Sequence, residues 1–226
     1  MNISLKNTTI NLSGKTILIC GEYSRVFPFI VNLIATNSKD TLLLLDDFNM
    51  RTLLKETNSF DPNNLSRITV SKFENLVELD RILEHSETLL LNKGLFNLIV
   101  LGSLSNAYLR EISLHEPTSH STILYLLNKI LAFFSFLSKK YGCTGILIGP
   151  SGDLDSESTI PAKRIFLYWV DYLLELRRCS MGRILYLVGE LTARNGDKIR
   201  LCIPLKRIAD ISEIRECDED ACQRSV

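Results

Sequence analysis

The stretch Thr16-Ile-Leu-Ile-Cys-Gly-Glu-Tyr-Ser-Arg-Val-Phe-Pro28 decides the fold of this chain. Its first five residues, Thr16–Cys20, are mostly apolar, and a short apolar run of this kind predicts a buried strand. Gly21 follows at once, and an apolar segment typical of a helix runs from Phe27 to Ala35. A strand, a glycine turn and a helix in this order form the frame of a nucleotide-binding P-loop.

The residues that a P-loop needs are missing from this frame. A working loop reads G-x-x-x-x-G-K-[ST]. Counting from Gly21, Val26 stands at the second glycine, Phe27 at the lysine and Pro28 at the hydroxyl residue. Phe27 cannot carry charge to the phosphates, and Pro28 has neither a hydroxyl for Mg²⁺ nor a backbone N–H. We therefore predict no catalytic residue, no cofactor and no bound metal.

The rest of the chain alternates between predicted strands and helices. Four further apolar strands are predicted at 41–46, 67–70, Phe96–Leu101 and Thr144–Ile148, and helices at 26–35, 73–91 and 121–141. Three consecutive strands then follow at 170–176, 183–188 and 198–203, with a hairpin signal at Asn195-Gly196. This order predicts an α/β fold: a mainly parallel sheet flanked by helices that ends in an antiparallel meander.

Length and charge limit the classes of protein that need to be considered. The chain has 226 residues, with 26 acidic and 26 basic side chains, so its overall charge indicates no partner. We predict one core domain over residues 1–215 and a polar tail over 216–226. The N-terminus lacks the apolar core of a signal peptide, and we predict no apolar run long enough to span a bilayer.

The six cysteines are scattered along the chain. Cys20, Cys143 and Cys202 lie in or beside apolar strands, where we interpret them as small hydrophobic residues. This usage fits a reducing compartment, the cytosol or the nucleus. Cys217 and Cys222 flank an acidic run that we interpret as a solvated tail, because the spacing is unusual for a metal pair.

Several later motifs follow the predicted strands. The strand at 41–46 ends in Asp46-Asp47 and leads into an F-x-x-x-R-L-like stretch at 48–53. Phe96–Leu101 is followed by Gly102 and then a serine. The long helix leads to Thr144–Ile148, which is followed by Gly149-Pro150, and Trp169 stands just before the meander.

This series of motifs resembles the core of RecA-family recombinases, above all the eukaryotic strand-exchange recombinase and its shorter paralogues, from about Gly14 to Ile208. In that family the Walker B aspartate stands where this chain has Gly102, and an Asn-Gln sensor stands at Gly149-Pro150. The lysine, the Mg²⁺-holding hydroxyl and the Walker B carboxylate are thus all replaced. The resemblance therefore implies a member that does not hydrolyse ATP.

Minimal recombinase paralogues such as Shu-complex subunits share these losses, and so do the RecA-fold subunits of Elongator. The resemblance implies a nuclear, non-catalytic subunit of a hetero-oligomer that promotes recombinase assembly on single-stranded DNA in homologous recombination and DNA repair. Its implied partners are other RecA-fold paralogue subunits and the recombinase, with no membrane contact. The alternatives are an RNA-directed complex such as Elongator, which modifies tRNA, or a residual ATP-binding protein.

Two sets of basic residues are candidates for DNA contact. Lys163 and Arg164 close the segment that matches the family's DNA-contacting loop, and Arg177 and Arg178 lie in the meander. An ordinary solvated meander explains the second pair equally well. Asp153, Asp155 and Glu157 in the loop repel phosphate, so any DNA affinity of this chain alone is expected to be weak and salt-sensitive.

Asp46 and Asp47 form a carboxylate pair at the carboxyl end of a predicted strand, where α/β folds place their sites. The pair has the chemistry to hold a metal or a water. We favour the other interpretation, in which one carboxylate caps the following helix and its neighbour is solvated.

Overall fold

One large mixed β-sheet organises the protein. In this computed structural model the described residues are 2–4, 9–36, 40–56, 65–93, 96–149, 163–181, 184–204 and 214–217. The strands are β1 Asn2–Ser4, β2 Thr9–Asn11, β3 Thr16–Cys20, β4 Asp40–Leu45, β5 Ile68–Lys72, β6 Phe96–Leu101, β7 Thr144–Ile148, β8 Tyr172–Met181, β9 Ile184–Ala193, β10 Lys198–Pro204 and β11 Arg215–Glu216. The helices are α1 Tyr23–Thr36, α2 Asp47–Glu56, α3 Leu76–Lys93, α4 Leu104–Leu114, α5 His120–Tyr141 and α6 Lys163–Trp169, with a 3₁₀ turn at Pro117–Ser119.

The described strands of the large sheet lie in the order β11-β10-β9-β8-β3-β7-β6-β4-β5, and β1 pairs only with β2. The six strands from β8 to β5 are mutually parallel. From β8 onward each strand pairs antiparallel with the next, through β9 and β10 to β11. The predicted α/β class, with a mainly parallel sheet and a terminal antiparallel meander, is confirmed.

Helices cover both faces of the parallel strands. On one face, α1 and α2 pack through residues such as Phe27, Ile30 and Leu53. On the other face, α3 to α6 pack through residues such as Leu79 and Phe134. Because parallel crossovers are right-handed, the helices change face where the chain reverses its direction across the sheet, after β5. Strands buried on both faces must be apolar throughout, as β3 and β4 are.

Several predicted boundaries are wrong, among them the end of β9, which runs to Ala193 and not to 188. Helix α1 begins at Tyr23 and not at residue 26, and α3 begins at Leu76 and not at 73. Phe73 instead lies in the turn before α3, where its backbone N–H donates to the Leu45 carbonyl. Strand β8 continues to Met181, because β9 pairs with its whole length, so the turn predicted at 179–182 begins too early.

Helix α5 is the longest described helix and ends as its sequence predicts. Gly142 adopts a left-handed conformation at its C-cap, with φ of 65°. By length and hydropathy alone, Pro117–Tyr141 is long and apolar enough to cross a membrane, so the prediction that no run reaches this length is wrong. The helix lies against the sheet with Leu127, Ile130 and Phe134 fully buried, which is how a core helix of this composition packs.

The C-terminal end of the described chain is fastened to the sheet. Strand β11 pairs with β10, so the sheet extends one residue past position 215. Cys202 and Cys217 form a disulfide with a Cα–Cα distance of 5.4 Å. The interpretation of Cys202 as an unbridged hydrophobic residue is therefore wrong, and Cys217 belongs to the sheet edge. Sequence spacing did not reveal this pair because only strand pairing brings the two residues together.

Candidate functional site

The carboxyl edge of the parallel strands is the place where this fold would hold a ligand. Strands β3 and β7 are neighbours, but the chain leaves β3 toward β4 with α1 on one face and leaves β7 toward β8 with α6 on the other, so the edge between them is a topological switch point. The turn after β3 contains Gly21, where the P-loop-like sequence begins. Gly102 follows β6 and Gly149 follows β7, so the structure brings all three altered motifs to this one edge.

No phosphate-binding loop is formed after β3. Only Gly21 and Glu22 separate β3 from α1, and the Val26 N–H already donates to the Glu22 carbonyl at 3.0 Å. A P-loop presents its backbone N–H groups to phosphate, whereas the backbone from Tyr23 to Pro28 belongs to the helix. The degenerate motif is thus a tight strand-to-helix turn.

The side chains at the altered positions fill the protein interior. Val26 is 0% exposed and Phe27 is 2% exposed, and both pack in the core on the α1 face. Gly21 has φ of +145°, and a Cβ added to it would lie 2.7 Å from the Leu176 carbonyl oxygen on β8. This glycine is required because β8 approaches the turn closely, a packing reason that is independent of phosphate.

The Walker B position is closed by packing as well. The Gly102 N–H donates to the Leu44 carbonyl at 2.7 Å. A Cβ at Gly102 would lie 3.0 Å from Asn49 Nδ2 and 3.1 Å from Leu45 Cδ2. An aspartate there would have to displace both neighbours. At Gly149, likewise, an added Cβ would meet the Ile19 carbonyl oxygen at 3.0 Å and the Cys20 thiol.

Asp46 caps α2, as the favoured interpretation predicts. Its Oδ1 accepts a hydrogen bond from the Asn49 N–H at 2.9 Å. Burial raises the pKa of Asp46 above its ordinary value, although the bond from Asn49 and the charge of Arg110 act in the opposite direction. The capping carboxylate is therefore partly desolvated.

Asp47 is the solvated member of the pair. Its carboxylate contacts Arg51 at 2.8 Å and Lys72 at 3.1 Å, and its side chain is 51% exposed. The hydrogen bond from Lys72 lowers the pKa of Asp47. Among the residues that the structure describes, no group of three or more His, Cys, Asp or Glu side chains could hold a metal.

The sequence does not predict the burial of several polar side chains near this edge. Asn49 is fully buried, and among the described residues no group lies within hydrogen-bond geometry of its side-chain polar atoms, although its amide is near enough to Asp46 to help lower the pKa of that carboxyl. Ser105, in the first turn of α4, is also fully buried, and no described residue bonds to its hydroxyl. An Asn in an amphipathic helix is ordinarily exposed. The burial of Asn49 therefore follows only from the packing of α2 against Gly102.

The predicted DNA contacts fall partly outside the described residues. The loop 151–162 lies outside them, and the described chain resumes at Lys163, the first residue of α6. Arg164 on α6 and Arg177 on β8 are exposed. Because α6 runs back across the sheet before β8 begins, the start of α6 and the far end of β8, with Arg178, lie toward the same carboxyl edge.

Acidic residues offset the charge of the meander. The bond from Lys198 lowers the pKa of Glu190 most, and the charges of Arg200 and Arg177 add to this effect. Glu190 lies opposite Glu175 on β8 and opposite Arg200 on β10. The cations of β8 and β10 therefore share one face with carboxylates, which reduces the potential that phosphate would meet.

A second candidate site lies at the far edge of the sheet, between β5 and α3. A cavity of about 370 Å³ opens there, with mainly apolar walls that include Leu42, Ile82 and Leu89. Val70 on β5 also lines this cavity and is 42% exposed. Within the described ranges no strand pairs with the outer side of β5, so its backbone groups face outward.

Comparison with known proteins finds no matching family model and no matching curated protein.

The burial of Phe27 yields the first prediction. Phe27→Ala should lower the free energy of unfolding by about 3–5 kcal/mol, because it leaves a cavity in the core. The matched variant Phe48→Ala removes a ring that is 53% exposed and should change stability by only about 0.5 kcal/mol. Urea unfolding of both variants measures the difference.

In the same experiment, Mg²⁺–ATP should leave the unfolding midpoint of the unaltered protein unchanged, since a ligand of the folded state would raise it. A rise in the midpoint with Mg²⁺–ATP would contradict the interpretation that side chains fill the nucleotide position. Equally small losses of unfolding free energy in Phe27→Ala and Phe48→Ala would contradict it as well.

The Asp46 cap yields the second prediction. Asp46→Ala should cost about 0.5–2 kcal/mol at neutral pH, whereas Asp46→Asn keeps an acceptor for the Asn49 N–H and should cost less. The raised folded-state pKa means that ionised Asp46 opposes folding above that pKa. The unaltered protein should therefore gain stability relative to Asp46→Asn as pH falls from neutral through that raised pKa. Urea unfolding at several pH values measures the difference in the free energy of unfolding between the unaltered protein and Asp46→Asn. If the unaltered protein instead lost stability relative to Asp46→Asn as pH falls, the effect of burial on the Asp46 pKa would be refuted.

Proposed function

We propose that this chain is a non-catalytic, RecA-like subunit of a nuclear hetero-oligomer that helps a strand-exchange recombinase to assemble on single-stranded DNA. The role belongs to homologous recombination and DNA repair. The observation that carries the proposal is the closure of the nucleotide position: a two-residue turn replaces the loop, and Val26 and Phe27 occupy the interior beside it. The strand arrangement supports a RecA-like framework that retains its architecture without its ATPase chemistry.

Phosphoryl transfer depends on positioned cations, namely a P-loop lysine and Mg²⁺ held by a hydroxyl and a carboxylate. In this chain the three equivalent positions are Phe27, Pro28 and Gly102, and packing occupies the space at Phe27 and Gly102. A subunit of this design contributes binding surfaces to a complex and leaves hydrolysis to its partners.

The partner surface that we propose is the β5 edge with its cavity. An unpaired edge strand offers a row of backbone donors and acceptors, which an extended segment satisfies by adding a strand. The adjoining cavity would hold an apolar side chain of that segment, while Glu78, Arg81 and His85 at its border offer charged contacts. The proposed occupant is therefore an extended segment of another RecA-fold subunit that carries an apolar anchor residue.

DNA contact is proposed for the carboxyl edge, through Lys163 and Arg164 with support from Arg177 and Arg178. Cations on an exposed edge contact phosphate without reading sequence. The neighbouring Glu175 and Glu190 keep this affinity low, so the assembled complex must supply further positive charge.

The interface prediction uses two valines of similar exposure. Val70→Asp places a charge at the β5 edge and should reduce recovery of the RecA-fold partner at least about ten-fold, since it buries an unpaired carboxylate in the interface. Val77→Asp is the matched control: Val77 is 51% exposed on α3 but does not line the cavity. The control should retain the partner.

The measurement is affinity purification with identification of the bound proteins, followed by hydrogen exchange of the purified complex. Recombinase-related subunits, together with slowed exchange at Ile68–Lys72, support the proposal. Recovery of tRNA-modification subunits instead would replace the recombinase role by an RNA-directed one. Equal recovery by both variants would remove the β5 edge from the interface.

The DNA prediction concerns the assembled complex. Lys163→Ala combined with Arg164→Ala should weaken binding to a labelled single-stranded oligonucleotide and make its salt dependence shallower by roughly one unit of slope for each lost phosphate contact. Arg51→Ala combined with Lys55→Ala removes two exposed cations of α2 and serves as the control. Curves that superimpose for the unaltered complex and the first double variant would exclude this segment from the DNA site.

A further inference from the structure

The disulfide Cys202–Cys217 closes the meander edge of the sheet, at the opposite end from β5. The bond joins the middle of β10 to the residue that follows β11. Beside it, Leu201 pairs with Glu216 and Cys202 with Arg215, and the Cys217 N–H donates to the Arg200 carbonyl at 3.1 Å. The covalent bond and the strand pairing therefore hold the same short segment.

Little else in the described chain holds that segment. Strand β11 has two residues, and a ladder of this length is only marginally stable without further packing. Among the described residues next to it, Ile214 is buried, with 4% exposed. The two cysteines are separated by 15 positions in sequence, so the bond removes a large part of the segment's freedom to leave the sheet.

The two bonded cysteines differ in exposure. Cys202 is 1% exposed, whereas Cys217 is partly exposed at the outer strand. Cys20 and Cys143 are thiols buried in the core, a usage that fits a reducing compartment. In such compartments a disulfide of a mesophilic protein is usually transient and regulatory, and the exposed sulfur is the one that a small thiol attacks.

We propose that Cys202–Cys217 is a redox-controlled latch that fastens β11 to β10. In the oxidised protein β11 covers the centre of β10. In the reduced protein β11 leaves, and β10 becomes a second open sheet edge with unpaired backbone groups at its centre. The proposal is independent of the recombinase role and concerns only the state of this edge.

The chemistry is thiol–disulfide exchange with glutathione, and its electrons balance. A glutathione thiolate attacks the Cys217 sulfur, a mixed disulfide forms there, and Cys202 leaves as a thiolate that takes a proton. A second glutathione thiolate attacks the mixed disulfide, so that Cys217 is released as a thiol and glutathione disulfide is the oxidised product. Glutathione disulfide is the oxidant of the reverse reaction.

The test places the full-length protein in buffers with a graded ratio of reduced to oxidised glutathione. Alkylation and mass spectrometry report the state of each cysteine, and hydrogen exchange reports the pairing of β10 with β11. We expect the bond to open within the range of ratios, and the amides of Cys202 and Cys217 then to exchange at least about ten-fold faster. Cys217→Ser should exchange at the fast rate in every buffer.

Cys222→Ser is the matched control, because it removes the neighbouring cysteine and leaves the proposed pair intact. It should behave like the unaltered protein. Three results would overturn the latch: a bond that persists at every ratio, thiols at both positions in the most oxidising buffer, or exchange rates that do not change when the bond opens. Loss of the bond in Cys222→Ser would assign the pairing to a different cysteine.

Discussion

The close approach of β8 to the end of β3 is the constraint on which the rest of the structure depends. The Leu176 carbonyl lies where a side chain at position 21 would need space, so only glycine fits there. The chain must then turn at once into α1, and Val26 and Phe27 enter the core in place of an exposed phosphate loop. The same compactness recurs at Gly102 and Gly149, where neighbouring side chains and backbone occupy the space beside each glycine. The carboxyl edge of the parallel strands is therefore a packed edge, and its glycines serve the packing.

A packed edge of this kind shifts the functional surfaces to the two ends of the sheet. At one end β5 presents unpaired backbone groups beside an apolar cavity. At the other end the disulfide fastens β11 over β10. Open edges promote association with other chains. In the proposed complex, the open edge at β5 would serve the partner contact, and control over the β10 edge would limit further association. The proposed partner contact and the proposed latch are two consequences of this arrangement.

Electrostatic contacts tie the surface helices and strands together without creating a strongly charged face. Lys129 on α5 bonds to Asp80 on α3 at 2.6 Å, and Lys140 bonds to Glu87 at 2.9 Å, so the two outer helices are joined by ion pairs. In the meander, Glu190 binds Lys198 between the cations of β8 and β10. Such pairing agrees with the balanced charge of the chain and leaves the proposed DNA contact to residues outside these pairs.

The sequence by itself determined the order of strands β3 to β10, the absence of the P-loop residues, the left-handed cap at Gly142 and the hairpin around Asn195-Gly196. These features follow from local patterns: apolar runs, glycine in positive-φ positions, and motif residues at fixed spacing. Only the tertiary structure decided the start of α1 at Tyr23, the burial of Asn49, the pairing of Cys202 with Cys217 and the identity of the open edge. Each of these depends on contacts between residues far apart in sequence, which local spacing does not encode. Gly102 shows both levels: the sequence shows glycine where a Walker B motif has a carboxylate, and the structure shows Asn49 and Leu45 packed closely against that glycine.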